Sequence, residues 1–442
     1  MILVYCRKGT FKWANEFVQF FKLEGENSYS FSELKFGSNL SLYSAFYYAI
    51  DFNKSYNNFD DIEINDIIAR CRLLRSLPRK LAVKMIIAID YSVNSMFDEV
   101  NPKYIVSLRV DSYVLDIIER SSKKRGIIFL GIWKSAFKMR YFFVTSRGEL
   151  NYLQVSFENV VKENDITNRD FKAVSIIKSK KFTKLESLKI KIYDLARSYY
   201  LTAVKYLLND RLGYRYLTNS FIVQDYNISL MEISYDKFIK DDWRHLLESK
   251  NLDKNIFVAL QVNPESTIDY YVNDLELVDY EVVLIKFIES FVNTDYFIFI
   301  KDHPNMYGRR NYKFLKEITS FHNVRLVPYE ISSNYILEFT KIVFTWSGTI
   351  SVQAVLADKI SLVVNPPYYI DGMYIQIKCL NDIRNIVKLI SDHKFPEDFR
   401  AKKNQLLSLI NSSLYLGDLN FKNPDKRLFK SVLAIIKNNL AF

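Results

Sequence analysis

Three short polar segments, each directly behind an apolar run, hold the residue types that could do chemistry in this chain. They occupy residues 261–267, 301–310 and 345–349, behind the apolar runs 256–260, 296–300 and 342–344. Ligands of α/β proteins gather where parallel strands end, so segments in these positions are the first candidates for a site. Their shared location predicts that they act together.

The segment 301–310 reads KDHPNMYGRR and concentrates one histidine and three cations within ten residues. Such a set favours an anionic ligand. His303, held stiff by Pro304, could donate a hydrogen bond to a phosphate oxygen while Lys301 or Arg309 balances the charge. A basic surface turn is the alternative interpretation.

The two flanking segments offer hydroxyl groups and one carboxylate. Ser347, Gly348 and Thr349 open a predicted helix, where backbone N–H groups, hydroxyls and the helix dipole favour phosphate. Glu265 and the two hydroxyl residues after it follow the earlier strand in the same way. Taken alone, the first set is equally compatible with a helix cap and the second with a proline-containing turn.

The alternation of strand and helix patterns after residue 255 predicts a parallel, doubly wound sheet. The apolar run 2–5, the helical pattern 13–21 and the strand–helix–strand pattern 104–132 predict a second sheet near the N-terminus. The expected fold class is therefore α/β, with two Rossmann-like domains whose parallel sheets face a central cleft. The predicted segments are an N-terminal domain (1–240), a C-terminal domain (250–385) and helices that pack back across both (386–442).

Composition limits the class of protein. With 442 residues, 49% hydrophobic and 25% charged, the chain is expected to fold as two globular domains. Its 61 Lys and Arg against 50 Asp and Glu give a formal charge of +11, which favours an anionic partner. Cys6, Cys71 and Cys379 lack disulfide or zinc spacing, and no apolar run reaches the roughly 18 residues of a membrane span. A cytoplasmic protein with at most peripheral membrane contact is expected.

The segments LQVNPEST, IKDHPNMYGRRNYKFLKEI and FTWSGTISVQAVLADKISLVV resemble, in order and spacing, the capsule polysaccharide biosynthesis family of glycosyltransferases. The likeness is strongest over residues 255–370, and LRVDSYVLDII and MRYFFVTSRGELN show a weaker one. This family is similar to bacterial Kdo- and sialic-acid-type transferases. The resemblance implies a GT-B fold, in which the N-terminal domain binds the acceptor and the C-terminal domain binds a nucleotide-sugar donor.

The resemblance also implies roles for individual residues. His303 and Pro304 would contact the phosphate or ribose of a CMP-sugar, and residues 347–349 would contact its phosphate. The family usually carries a glutamate in the following helix, often on the donor ribose, where this chain has Gln353. Residues 365–369, NPPYY, replace an apolar-glycine-aromatic loop. Both departures make donor choice a point at which this chain could differ from its relatives.

Acid–base candidates lie in the N-terminal half of the chain. GT-B transferases often use an acidic residue there to remove the acceptor hydroxyl proton. Asp111 is the first candidate and Glu149 the second, with a helix N-cap and a plain turn as their alternatives. Arg109 and Arg147 would bind an acidic or phosphorylated acceptor, or face solvent. No metal-ligand spacing is present, so transfer without a metal or cofactor is predicted.

Together these observations predict a glycosyltransferase of capsule, O-antigen or lipopolysaccharide biosynthesis. Its donor would be a CMP-activated ulosonic acid, Kdo or sialic-like, and its acceptor a glycan or lipid-linked molecule. The positive charge also predicts contact with the anionic inner membrane, whereas its wide spread argues against nucleic acid. Two main alternatives are a CDP-glycerol-type phosphotransferase of wall polymer synthesis and a non-enzymatic basic protein that binds anions or acts as a scaffold. A nucleotide-sugar epimerase of GT-B shape is a third, and the low number of histidines, four, argues against it.

Overall fold

The computed structural model forms two compact units, one of residues 1–174 together with 409–442 and one of residues 175–408. The structure describes residues 1–7, 9–56, 58–134, 140–148, 153, 183–208, 235–249, 252–263, 265–366, 368–413, 415–416 and 425–438.

The first unit is built on a seven-stranded sheet. Six of its strands come from the first part of the chain: β1 (Ile2–Tyr5), β2 (Ser28–Ser32), β3 (Leu40–Ser41), β4 (Tyr104–Leu108), β5 (Ile128–Lys134) and β6 (Arg140–Val144). They lie in the order β6-β5-β4-β1-β2-β3, and the first five along the chain are parallel. The hairpin partner β6 is antiparallel, and the terminal strand Tyr415–Leu416 pairs with its outer edge.

Six helices of the first unit connect or flank these strands. They are α1 (Phe11–Leu23), α2 (Tyr43–Phe52), α3 (Asp61–Arg70), α4 (Arg72–Arg75), α5 (Arg79–Val100) and α6 (Tyr113–Lys124). In α1, Trp13, Phe17 and Phe21 recur at every fourth residue and are all fully buried. This spacing places one apolar stripe of the helix on the sheet.

The second unit has a six-stranded sheet in which every pairing is parallel. Its strands are β7 (Asn255–Ala259), β8 (Phe297–Lys301), β9 (Val324–Val327), β10 (Ile342–Thr345), β11 (Ile360–Val363) and β12 (Ile375–Gln376). Their spatial order is β12-β11-β10-β7-β8-β9. Counted from β7, this is the 3-2-1-4-5-6 order of the doubly wound dinucleotide-binding fold.

The described residues from 183 to 413 form ten helices. They are α7 (Lys184–Leu208), α8 (Trp243–Ser249), α9 (Ser266–Asp269), α10 (Tyr280–Glu289), α11 (Tyr312–Ser320), α12 (Ser333–Glu338), α13 (Ile350–Leu356), α14 (Leu380–Arg384), α15 (Ile386–Asp392) and α16 (Phe399–Ser413). Single 3-10 turns lie at Tyr235–Phe238, Leu252–Lys254, Leu275–Leu277 and Pro304–Met306. The α/β class with two Rossmann-like domains, the domain content of the GT-B fold, is confirmed.

The last helix, α17 (Lys426–Lys437), belongs to the first unit. Its Phe429 ring lies 4.2 Å from the ring of Phe17 in α1, measured between centroids. The change of unit near residue 174 falls earlier than the predicted boundary at residues 240–250. The reason is that α7 packs with the second unit: its Asp194 pairs with Arg309, and Ser187 lies against Gly308.

A network of charged side chains joins α3 to α6 in the first unit. Asp66 of α3 accepts from Arg70 on its own helix and from Arg120 of α6, and these contacts lower the pKa of Asp66 to about 2 against the opposing effect of burial. Asp116, fully buried on α6, also pairs with Arg120. Beside this network, burial and the charge of Asp116 raise the pKa of the Glu119 carboxyl to about 7.

Replacement of Glu119 by Gln is expected to change how stability depends on pH. The unfolded carboxyl ionises near 4.5, whereas the folded one keeps its proton to about 7, so wild-type stability falls as pH rises through this interval. Glu119→Gln has no such loss and should be more stable than wild type by about 2 kcal/mol at about pH 8, with little difference near pH 4.5.

Urea denaturation at the two pH values measures this difference. Glu99→Gln, at an exposed position of α5, is the control and should leave the pH dependence unchanged. A parallel pH dependence for wild type and Glu119→Gln would show that Glu119 ionises as readily in the folded protein as in the unfolded chain.

Candidate functional site

The strand order of the second unit predicts where a ligand would bind. The chain leaves β7 toward β8 on one side and leaves β10 toward β11 on the other, although β7 and β10 are neighbours. Loops that diverge from adjacent strands leave a crevice at the carboxyl edge of the sheet. The three polar segments singled out from the sequence follow β7, β8 and β10, so all of them lie on this edge.

Gln261, in the loop after β7, forms hydrogen bonds to three other residues at this edge. Its backbone N–H donates to the Tyr280 hydroxyl at 2.7 Å, its carbonyl accepts from Arg310 at 2.9 Å, and its side-chain amide donates to Glu265 at 2.8 Å. The Glu265 carboxylate also accepts from the Thr267 hydroxyl at 3.2 Å. The predicted ligand-binding carboxylate is thus held in place by its own loop.

The loop after β8 begins with two buried charged residues. Lys301 donates through Nζ to the carbonyl of Tyr329 at 3.0 Å, and burial lowers the pKa of its ammonium group to about 8. Asp302 accepts from the Tyr329 hydroxyl at 2.5 Å, from the His303 backbone N–H at 2.7 Å and from the Arg310 guanidinium. These contacts fix the backbone at His303.

His303 is oriented as a hydrogen-bond donor. Its Nδ1 accepts the backbone N–H of Asn305 at 3.1 Å, so the neutral imidazole carries its proton on Nε2. Burial lowers the pKa of this imidazole, against the opposing charges of Asp302 and Glu265. At neutral pH the ring is therefore uncharged, with an N–H to offer. Pro304 opens the 3-10 turn that follows.

The two arginines of this loop have different surroundings. Arg309 forms a two-point ion pair with Asp194 of α7, at 2.6 and 3.2 Å, and donates to the Asn305 carbonyl at 3.2 Å. Arg310 is buried, pairs with Asp302 and bonds the Gln261 carbonyl. Sequence reasoning selected Arg309 and missed Arg310. The count of three cations in this segment was the available signal, but burial is not visible in a count.

The segment after β10 supplies a hydroxyl group to the same edge. Ser347 is 7% exposed, and its Oγ has no hydrogen-bond partner among the residues that the structure describes. A Cβ on Gly348 would lie 2.7 Å from Thr345 Oγ1, so this position has room only for glycine. Thr349 directly precedes α13, and Gln353 is half-buried on that helix, where its N–H bonds the Thr349 carbonyl at 3.2 Å.

These contacts bring the loops after β7, β8 and β10 together. Gln261 bonds Arg310 of the second loop, and its partner Tyr280 packs on Trp346 of the third with 4.9 Å between ring centroids. The edge offers a neutral imidazole N–H, a buried hydroxyl and a buried guanidinium. Donors of this kind bind oxyanions such as phosphate.

The first unit has a polar cluster at the equivalent edge, between β1 and β4. Asp111 follows β4 and forms a two-point ion pair with Arg7, which follows β1, with both N–O distances at 2.8 Å. Glu33, just after β2, accepts from the Tyr5 hydroxyl at 2.7 Å, and burial raises the pKa of its carboxyl. Sequence reasoning found Asp111 and missed Arg7 and Glu33. Their positions directly behind strands were the signal.

The other predicted residues of this unit lie in different surroundings. The Arg109 guanidinium lies 5.2 Å from the centroid of the Trp133 ring, a cation–π contact. Arg147 donates to Asp66 at 3.2 Å and to Asp116 at 3.1 Å, so it belongs to the α3–α6 charge network. Glu149 lies outside the described residues.

Sequence comparison identifies the family of the chain. The profile of the capsule polysaccharide biosynthesis protein family matches residues 181–404, a little over half of the chain. The chain belongs to this family. The predicted identification as a glycosyltransferase of capsule polysaccharide biosynthesis is confirmed at this level, and the matched range contains all three loops of the second unit. No curated protein matches the chain.

Several solved structures are similar over most of the chain. The UDP-GlcNAc 2-epimerase of Neisseria meningitidis is 12% identical, with 99% of each chain covered and a TM-score of 0.25. The KpsC β-Kdo 2,7-transferase of Thermosulfurimonas dismutans is 11% identical over 86% of this chain and 98% of that one, with a TM-score of 0.32. The KpsC β-Kdo 2,4-transferase from the same organism is 12% identical over 75% and 87%, with a TM-score of 0.34.

Within the described ranges, no group of three or more His, Cys, Asp or Glu side chains could hold a metal ion. None of the described helices has the length and apolar character needed to span a membrane.

Gly348→Ala is expected to destabilise the second unit by about 1 to 3 kcal/mol, because the new Cβ would overlap Thr345 Oγ1. Thr345 is buried and β-branched, so it cannot easily rotate away. Thr345→Ala removes the overlapping atom and a 3.3 Å bond to the Ala259 carbonyl. In the Thr345→Ala background, the second substitution should therefore cost much less.

A double-mutant cycle measured by urea denaturation tests this coupling. If Gly348→Ala lowers the free energy of unfolding equally with and without Thr345 Oγ1, the contact with Thr345 does not require glycine at position 348.

Proposed function

We propose that this capsule polysaccharide biosynthesis glycosyltransferase transfers a CMP-activated ulosonic acid, of the Kdo or nonulosonic type, to a glycan or lipid-linked acceptor. The product would be capsule, O-antigen or lipopolysaccharide. The observation that carries the proposal is that the carboxyl edge of a 3-2-1-4-5-6 sheet holds both a neutral His303, whose Nδ1 already accepts a backbone N–H, and the buried Ser347 hydroxyl. The choice of cytidine rests on the resemblance of the His-Pro segment.

In the proposed step, negative charge moves onto the leaving phosphate and a proton leaves the acceptor hydroxyl. The bond between the anomeric carbon and the phosphate oxygen breaks, and its electron pair leaves with the nucleotide phosphate. His303 donates through Nε2–H to that phosphate and stabilises the negative charge. The acceptor oxygen forms the new bond to carbon, and its proton passes to the Asp111 carboxylate. Arg7 occupies one position on each Asp111 oxygen, and each oxygen keeps further lone pairs to accept that proton. We propose that no metal takes part.

Two alternatives to this reaction differ in measurable ways. A CDP-glycerol-type phosphotransferase would use the same edge and release CMP, but it would add a phosphate to the acceptor together with the transferred group. A basic anion-binding or scaffold protein would bind nucleotides without turnover. The mass of the product separates the first alternative, and any donor-dependent product excludes the second.

Thermal-shift titration with CMP, CDP, UDP and GDP is the first test of the donor. A cytidine nucleotide is expected to raise the melting temperature of the wild type, because a ligand that binds only the native state stabilises it. His303→Ala should lose most of this rise, whereas His322→Ala, at an exposed position, should keep it. Stabilisation by UDP or GDP alone would assign a different donor class.

Asp111→Asn separates binding from turnover in the same experiment. The amide keeps the shape of the carboxylate, and its oxygen can still accept one of the two Arg7 bonds, but it cannot take the acceptor proton. This variant should therefore show the wild-type nucleotide shift and at least about a hundredfold lower transfer. Full transfer by Asp111→Asn would exclude Asp111 as the base.

We further propose peripheral contact with anionic lipid through one face of α7. Among the side chains of this helix that the structure describes, five large apolar or aromatic ones are more than half exposed: Leu185, Ile192, Tyr193, Tyr199 and Tyr200. They recur at spacings of seven and eight residues, which places them on one face of the helix. Lys189 and Arg197, also exposed, add positive charge to that helix. Aromatic and basic side chains on one helix face are typical of an interfacial membrane helix.

Co-sedimentation with lipid vesicles tests this contact. The wild type should bind vesicles that contain anionic lipid more strongly than neutral ones, and salt should weaken the binding. Replacing Tyr199 and Tyr200 by Ser should lower the bound fraction severalfold. Leu23→Ser, at an 87% exposed position of α1, is the matched control. Equal binding by the double variant would exclude this face as the contact.

A further inference from the structure

Among the buried polar groups at the carboxyl edge of the second sheet, two serine hydroxyls and one arginine nitrogen lack a hydrogen-bond partner among the described residues. They are Ser266 Oγ, Ser347 Oγ and Arg310 Nη1. Ser266 and Ser347 are each 7% exposed, and the Arg310 side chain is 2% exposed. Leaving a buried donor unsatisfied costs free energy, so a concentration of such groups at one edge indicates a ligand that satisfies them.

The three groups belong to one connected structure. Ser266 directly follows Glu265, which accepts from the Gln261 amide, and the Gln261 carbonyl accepts from Arg310 Nη2. Gln261 also bonds Tyr280, whose ring packs on Trp346, the residue before Ser347. The loops after β7, β8 and β10 therefore present these groups from three strands on both sides of the switch point.

The chemistry of the set selects the ligand. All three groups can donate hydrogen bonds, and the guanidinium adds a directed N–H whose charge Asp302 partly balances. Several such donors together suit the non-bridging oxygens of a phosphate. Arg309, in contrast, has two of its nitrogens on Asp194.

We infer that Ser266 and Arg310, together with Ser347, bind the phosphate of the nucleotide donor, and that Arg310 rather than Arg309 is the phosphate-binding arginine. This inference rests on the proposed function and adds two residues to its donor site. It assigns the loop after β7 to phosphate recognition through a serine hydroxyl and leaves Glu265 as a residue that orders that loop.

Ser266→Ala tests the inference without disturbing a known contact. In the free protein the hydroxyl makes no hydrogen bond to the described residues, so its removal should leave the melting temperature unchanged or higher. The dissociation constant for CMP should rise about tenfold, since one bond to a charged phosphate is lost. Cytidine, which has no phosphate, should bind wild type and variant equally.

Ser361→Ala is the matched control. Ser361 is 1% exposed within β11, and its Oγ likewise lacks a partner among the described residues, but it lies inside a strand rather than at the carboxyl edge. This variant should bind CMP like the wild type. A second pair compares Arg310→Lys, expected to weaken CMP binding at least about tenfold, with Arg309→Lys, expected to change it less than about twofold.

The outcomes separate the two proposals. If the wild type binds CMP and Ser266→Ala binds it equally well, the inference is overturned while the proposed donor stands. If another of the four nucleotides stabilises the wild type instead, the CMP assignment fails and the same variants are compared with that nucleotide. If the wild type binds none of them, the proposed function is overturned and the phosphate site with it.

Discussion

The buried ion pair between Asp302 and Arg310 is the contact on which the candidate site depends. A buried pair is costly to desolvate and is stable only when further hydrogen bonds satisfy both partners. Here Tyr329 and the His303 backbone complete the shell of Asp302, and the Gln261 carbonyl accepts a second bond from Arg310. The pair therefore holds the loops after β7 and β8 together and sets the position of His303.

Burial at this edge determines the chemistry of the side chains as well as their positions. It lowers the pKa of both Lys301 and His303, so the histidine is a neutral donor at the pH of a cell. A neutral imidazole N–H can donate a hydrogen bond to a phosphate and so stabilise the negative charge that develops on it. Among the described residues, burial also leaves Ser266 Oγ, Ser347 Oγ and Arg310 Nη1 without a hydrogen-bond partner, and an oxyanion can satisfy groups of this kind.

Both units have a switch point in strand order, but the polar residues that collect there differ. In both, adjacent parallel strands send their connections in opposite directions, and polar residues collect where they diverge. In the first unit that place holds two carboxyl groups, Glu33 and Asp111, with Arg7 paired to the second. In the second unit it holds mainly hydrogen-bond donors. A base and a phosphate-binding edge are the two chemical requirements of the proposed transfer.

The sequence by itself determined the class of fold, most of the strands, and the three loops that follow β7, β8 and β10 at the candidate site. Strand and helix periodicity is local, and polar residues directly behind strands must fall on the carboxyl edge of a parallel sheet. Tertiary structure decided what the sequence left open: Arg309 pairs with Asp194, 115 residues away, and Arg147 with Asp66, 81 residues away. It also assigned α7 to the second unit, drew attention to Arg310 and Arg7, and showed that the Ser266 hydroxyl is buried. Partners and burial arise from contacts between distant segments, which no local pattern encodes.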